Sequence, residues 1–225
     1  MPTTALALPP PLREGDQLTA EEFLRRWDAM PDLNRAELID GIVYMSSPLS
    51  DPHANHDHRM NAWLGFYTVF TPGCYASANV TWVISPKSVP QPDVLLRIER
   101  GAKLFQGKYP TEAPELIVEV SHTTFARDSG LKLRLYERSG VQEYLIMRTD
   151  KRQCIWNELV DGKYRSIEAD SDGLLRSRVF PGLWLDPEKV WNYDPAGLLA
   201  VIQRGAATEE HLAFVTKLAS SRADL

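Results

Sequence analysis

In TAEEFLRRWDAM, Thr19 to Met30, the apolar Phe23, Trp27 and Met30 recur three or four positions apart with charges between them. That is the spacing of one helix face. Thr19 with Glu22 three residues on forms a capping box, and Leu18 and Phe23 have the separation of a hydrophobic staple, so a helix is expected over 20–30. RAELIDGIVYMSS then places two short apolar runs around Asp40-Gly41, a dipeptide that accepts the positive φ angles of a two-residue hairpin turn. From His53 to Phe70, Met60, Trp63, Leu64, Tyr67 and Phe70 again fall at helical intervals, ending near Pro72-Gly73.

Strand-like patterns follow in YASANVTWVIS, PDVLLRIE and ELIVEVS. A helix is expected from about Asp128 to Gly140, then a strand in VQEYLIMRT and a second hairpin around Asp161-Gly162. Residues 187–225 read as helical, with Leu212, Val215 and Leu218 as an apolar stripe suited to packing or to a dimer contact. The order predicts an α/β protein with a central mixed sheet flanked by helices, preceded by a helix and hairpin and followed by further helices. The boundaries expected are a lead-in at 1–17, one domain at 18–194 and a helical extension at 195–225.

Period-two alternation puts Asp93, Leu95, Arg97 and Glu99 on one face of their strand, and Glu115, Ile117, Glu119 and Ser121 on one face of the next. The opposite faces are wholly apolar. If the strands are neighbours, Asp93 and Glu119 share a face, where two carboxylates repel unless one is protonated or a cation lies between them. Mg²⁺ or Mn²⁺ suits such a site, because a hard cation takes carboxylate, carbonyl and water oxygens. The plainer alternative is that Asp93 only opens a strand after Pro92 and that Glu119 pairs with an arginine.

Composition narrows the setting. With 44% hydrophobic and 24% charged residues in 225, the chain is an ordinary globular sequence, and a net charge of −5 supplies no overall positive field. Any nucleic-acid contact is therefore local, at Arg97–Lys103, Lys132–Arg138 or Arg148–Arg152. Two cysteines, Cys74 and Cys154, favour a reducing cytoplasm over a disulfide framework. The proline-broken N-terminus is expected to be neither signal peptide nor anchor, and no apolar run approaches membrane-spanning length, so no membrane association is expected. His53, His56 and His58 lie close together, but their H-x-x-H-x-H spacing matches neither common zinc hydrolase pattern. No nucleophile elbow or glycine-rich phosphate loop is present.

Taken together, RAELIDG, QPDVLL, ELIVEV, RDSGLKLRLYERSGVQEYLI and VFPGLWLD resemble the Uma-type putative restriction endonuclease family, a branch of the PD-(D/E)XK nuclease superfamily, from Leu18 to Trp191. The resemblance implies a restriction-endonuclease-like core in which Asp93 and Glu119 bind the metal, with the Val120 carbonyl as a further ligand. Ser121 stands where the superfamily has its lysine. The branch's lysine on the following helix corresponds to Lys132, which lies between Leu131 and Leu133 at the margin of the helix's buried stripe and would position or activate water. Glu37 matches a recurrent acid, Gln91 a residue that orients the metal site, and His56 a residue at the active-site edge. His122 departs from the family pattern; a contact with the scissile phosphate is one reading, and a structural or solvent-facing loop histidine is the commoner one. The function implied is a divalent-metal-dependent endonuclease acting on nucleic acid, DNA in the first instance, as a homodimer. The alternative is a nuclease-like module that binds or assembles without cutting.

Overall fold

The computed structural model describes residues 8–45, 51–99 and 108–223, with the side chains of residues 51–53, 222 and 223 outside that description. Most of the Arg97–Lys103 basic stretch and the His53 side chain therefore lie outside the described residues. The chain divides into two compact units, one built from Met1–Pro48 and Thr81–Gln91, the other from Leu49–Val80 and Pro92–Leu225.

In the first unit α1 (Ala20–Asp28) begins at Thr19, whose hydroxyl accepts the Glu22 N–H. β1 (Ala36–Ile39) and β2 (Ile42–Met45) form the expected hairpin, with Asp40 at φ 51° and Gly41 at φ 84°. Leu12, Ala20, Phe23, Ala36, Leu38, Val43 and Val89 make its core. Val89 lies just past Tyr75–Ser85, which the hydrophobic pattern assigns to one continuous strand. That strand stops early: Asn79 takes φ 53°, and Val89 pairs with Leu38 of β1 instead.

The second unit is built on a six-stranded sheet, ordered β3 (Cys74–Ala78), β4 (Val94–Ile98), β5 (Leu116–Ser121), β6 (Glu143–Arg148), β7 (Gln153–Val160) and β8 (Lys163–Ser166). Only β5 and β6 run parallel, because a helical crossover joins them, and the other neighbours are antiparallel. The hairpin between β7 and β8 turns at Asp161 (φ 53°) and Gly162 (φ 75°), as their residue types predict.

On one sheet face α2 (Asp51–Phe70) presents Met60, Trp63, Leu64 and Tyr67 to Val94, Leu96, Leu116, Val118 and Val120. The other face is buried as well. Every residue of β5 is buried, and the face that carries Glu119 lies under the crossover.

That crossover was expected as one helix from Asp128. It begins earlier, as α3 (Phe125–Arg127), passes through a π-helical turn (Asp128–Lys132) and continues as α4 (Leu133–Arg138). The chain then turns at Gly140, φ 79°.

A short pair, β9 (Leu175–Arg176) and β10 (Trp184–Leu185), precedes α5 (Pro187–Trp191), α6 (Pro195–Ala206) and α7 (Glu209–Ala223). On α7 the inward residues include His211, Phe214 and Leu218, whereas Leu212 is exposed. Of the stripe drawn through Leu212, Val215 and Leu218, Leu218 packs into the core and Leu212 does not. No helix among the described residues is long and apolar enough to cross a membrane.

Candidate active site

The antiparallel register sets Val94 opposite Val118, and one step further along the same register brings Asp93 beside Glu119. β4 ends its backbone pairing there, and the Asp93 side chain takes over: its Oδ2 accepts the Val120 N–H at 2.7 Å. The N–H and C=O of one strand residue point toward the same neighbour, so the Val120 carbonyl is directed to the Asp93 side as well. Asp93, Glu119 and Val120 are all buried.

Glu119 is held from the crossover. Lys132 Nζ donates to Glu119 Oε1 at 2.7 Å, and the Tyr136 hydroxyl donates to the same oxygen at 2.9 Å. Lys132 is only 3% exposed, deeper than its position at the margin of the helical stripe predicts, and its partner is the acid rather than solvent. The arginine partner considered for Glu119 is therefore replaced by a lysine from the neighbouring element.

The π turn explains how a lysine arrives there. A π turn carries one more residue than an α turn and recurs at functional sites. Here it spans Asp128 to Lys132, with Lys132 Nζ 4.0 Å from Asp128 Oδ1. Thr124 donates to Asp128 Oδ2 at 2.6 Å, and the Tyr144 hydroxyl on β6 donates to the Asp128 carbonyl at 3.1 Å. Tyr136 and Tyr144 meet edge to face at 5.0 Å. Burial, then the neighbouring charges of Glu119 and Asp128, raise the Tyr144 phenol well above its ordinary value, so it is a donor throughout the physiological range.

Ser121, on the Glu119 face of β5, is fully buried and its Oγ has no hydrogen-bond partner. Lys132 reaches Glu119 from the crossover and not from this strand position. Beyond it His122 is exposed, its Nδ1 3.0 Å from Thr149 Oγ1, and Thr149 donates to the Ser121 carbonyl at 3.2 Å.

Glu37 on β1 accepts the Gln91 N–H at 2.8 Å, a buried pair within the first unit. His56 on α2 is buried against the rings of Trp191 and Tyr193. Tyr136, Asp128 and Tyr144 were not singled out by sequence. Asp128 and Tyr136 do stand four residues before and after Lys132, the separation that shares a helix face.

Among the described residues no group of three or more His, Cys, Asp or Glu side chains is placed to hold a metal ion. Asp93, Glu119 and the Val120 carbonyl would offer two acids and a main-chain oxygen. Such a set suits a hard cation that completes its shell with water and substrate oxygens, and it does not suit zinc.

Comparison with known proteins finds no match among curated sequences. A solved structure from Anabaena variabilis ATCC 29413, described as a putative nuclease belonging to DUF820, is 14% identical with a TM-score of 0.63, covering 78% of this chain and 98% of its own. At that identity the likeness is one of fold. The profile of a family described as "Putative restriction endonuclease", Uma2, matches residues 20–188. That stretch holds β1, the acids of β4 and β5 and the whole π-turn crossover, and the chain belongs to the Uma2 family.

Proposed function

We propose that the protein is an endonuclease that hydrolyses phosphodiester bonds of DNA with the help of Mg²⁺ or Mn²⁺. The observation that carries this reading is the buried Lys132–Glu119 pair, set beside Asp93 by the register of β4 and β5. Membership of a family described as nucleases supports it.

Asp93, Glu119 and the Val120 carbonyl would hold the cation. Once bound, it supplies Lewis acidity that draws electron density from a phosphoryl oxygen. Asp93, fixed by the Val120 N–H, and Glu119, fixed by Lys132 and Tyr136, keep their carboxylates oriented without reorganisation during the reaction. The Lys132 ammonium, a three-donor group held beside Glu119, would also orient a water or a phosphate oxygen arriving at the same place. Water attacks phosphorus in line, a new P–O bond forms, and the bond to the leaving sugar oxygen breaks.

The alternative is a module of the same fold that binds without cutting, and activity decides between the two readings. Wild type, Asp93→Asn and Lys132→Ala are incubated with plasmid and single-stranded DNA in Mg²⁺, Mn²⁺ or EDTA. Nicking by wild type that EDTA and both substitutions abolish is expected. Absence of metal-dependent cleavage, or cleavage by Asp93→Asn at the wild-type rate, removes the nuclease reading in favour of the binding module.

A further inference from the structure

Two residues beyond Glu119 the sheet ends, and a continuous set of contacts leads from there to an exposed aromatic residue. Ser121 pairs in register with Arg148, Thr149 bonds the Ser121 carbonyl, and the turn that follows ends at Arg152 in the left-handed conformation, φ 48°. Arg152 Nη2 donates to Asn192 Oδ1 at 3.1 Å. The next residue, Tyr193, is 51% exposed and also left-handed, at φ 60°, a conformation unfavourable for a bulky side chain.

Tyr193 is nonetheless well supported. The Arg59 guanidinium lies over its ring, 3.4 Å from the centroid, and is itself fixed by the Val190 carbonyl at 2.9 Å and by the side chain of Asn55. His56 approaches the Tyr193 ring at 5.8 Å and the buried Trp191 ring at 5.4 Å. A half-exposed ring in a left-handed conformation, with a guanidinium over one face and the buried His56 ring beside it, is fixed in position. It resembles a plate held in position for a contact made from outside. Arg152, Lys151 and Arg148 lie between this plate and the end of β5, although Asp150 offsets Arg148 and Glu188 bonds Asn192 from its other side.

We propose that the Arg59–Tyr193 stack is a platform for an unpaired base of single-stranded DNA, the Arg148–Arg152 turn following its phosphates back to Glu119. The proposal rests on the nuclease reading and adds the strandedness of the substrate. A flat aromatic face stacks any base, and a duplex hides its base faces, so the contact selects unpaired strands without selecting sequence.

The test is fluorescence anisotropy with a labelled single-stranded oligonucleotide and with a blunt duplex of the same sequence. Ca²⁺ replaces Mg²⁺ as an oxygen-seeking cation. Tyr193→Ala should weaken single-strand binding about tenfold and leave duplex binding unchanged, while Tyr193→Phe, which keeps the ring, should bind as wild type does. Hydrolysis of bis(p-nitrophenyl) phosphate, too small to reach the plate, should be the same in wild type and Tyr193→Ala. If Tyr193→Ala binds single strands normally, or loses both ligands alike, the platform is wrong while the nuclease reading stands on the small substrate. If wild type neither hydrolyses the small phosphodiester with metal nor binds either oligonucleotide, the nuclease reading fails and the platform with it.

Discussion

Lys132 Nζ lies 2.7 Å from Glu119 Oε1, and each side chain of the pair is only 4% exposed. A buried ion pair of this kind offsets two desolvation costs, so removing one partner leaves the other as an uncompensated charge. Lys132→Met should therefore lose about 3 kcal/mol in urea unfolding and reduce cleavage by at least about a hundredfold. Lys132→Met with Glu119→Gln should recover most of the stability and none of the activity. Mg²⁺ should also stabilise the single variant, by replacing the lost positive charge beside Glu119. A single variant as stable as wild type in EDTA would show that the pair is not desolvated as the structure has it.

Tyr136 gives Glu119 Oε1 its second donor, while the edge-to-face contact with Tyr144 fixes the ring independently of the hydroxyl. Tyr136→Phe keeps the packing and removes only that bond. The expected loss is about 1–2 kcal/mol, most visible as weaker binding of Mn²⁺ measured by calorimetry, because the carboxylate becomes freer to rotate. Unchanged Mn²⁺ affinity with reduced stability would mark the hydroxyl as purely structural.

Asp93 has two separable tasks. Its Oδ2 satisfies the buried Val120 N–H, and its charge would hold the cation. Asp93→Asn retains an acceptor for Val120 and should unfold near the wild-type midpoint with cleavage abolished. Asp93→Ala leaves the N–H unsatisfied and should lose a further 1–3 kcal/mol or so. Equal stability of the two variants would place another acceptor at Val120.

The acids were legible because strand alternation and register are enough to bring Asp93 and Glu119 together, and the hairpins because Asp40-Gly41 and Asp161-Gly162 accept positive φ. Lys132 was identified, but its depth was not. The π turn inserts a residue without any mark in the hydrophobic pattern, so a regular helix drawn through Asp128–Gly140 leaves the lysine at a margin and Tyr136 unremarked. The strand drawn to Ser85 failed for a related reason. Thr81–Ser85 is as β-prone as Tyr75–Ala78, and only the left-handed Asn79 and the pairing of Val89 with Leu38, both tertiary facts, separate them.

Glu143 on β6 is fully buried, and burial pushes its carboxyl up to about 7 against an ordinary value of 4.5. The Ser177 hydroxyl and the N–H groups of Arg178 and Val179 pull the other way without overcoming burial. The folded protein thus holds this proton more tightly than the unfolded chain does. Between pH 4.5 and about 7 folding takes up a proton, so the contribution of Glu143 is fully present below pH 4.5 and is lost as pH rises to about 7. The whole effect amounts to no more than about 3 kcal/mol. Glu143→Gln keeps a neutral side chain that still accepts from the two N–H groups. The difference in unfolding free energy between wild type and this variant should shift in favour of the variant from pH 5 to pH 7 and stay level above it. If the difference is constant across that range, the three donors hold Glu143 ionised throughout, and hydrogen bonding outweighs desolvation at this position.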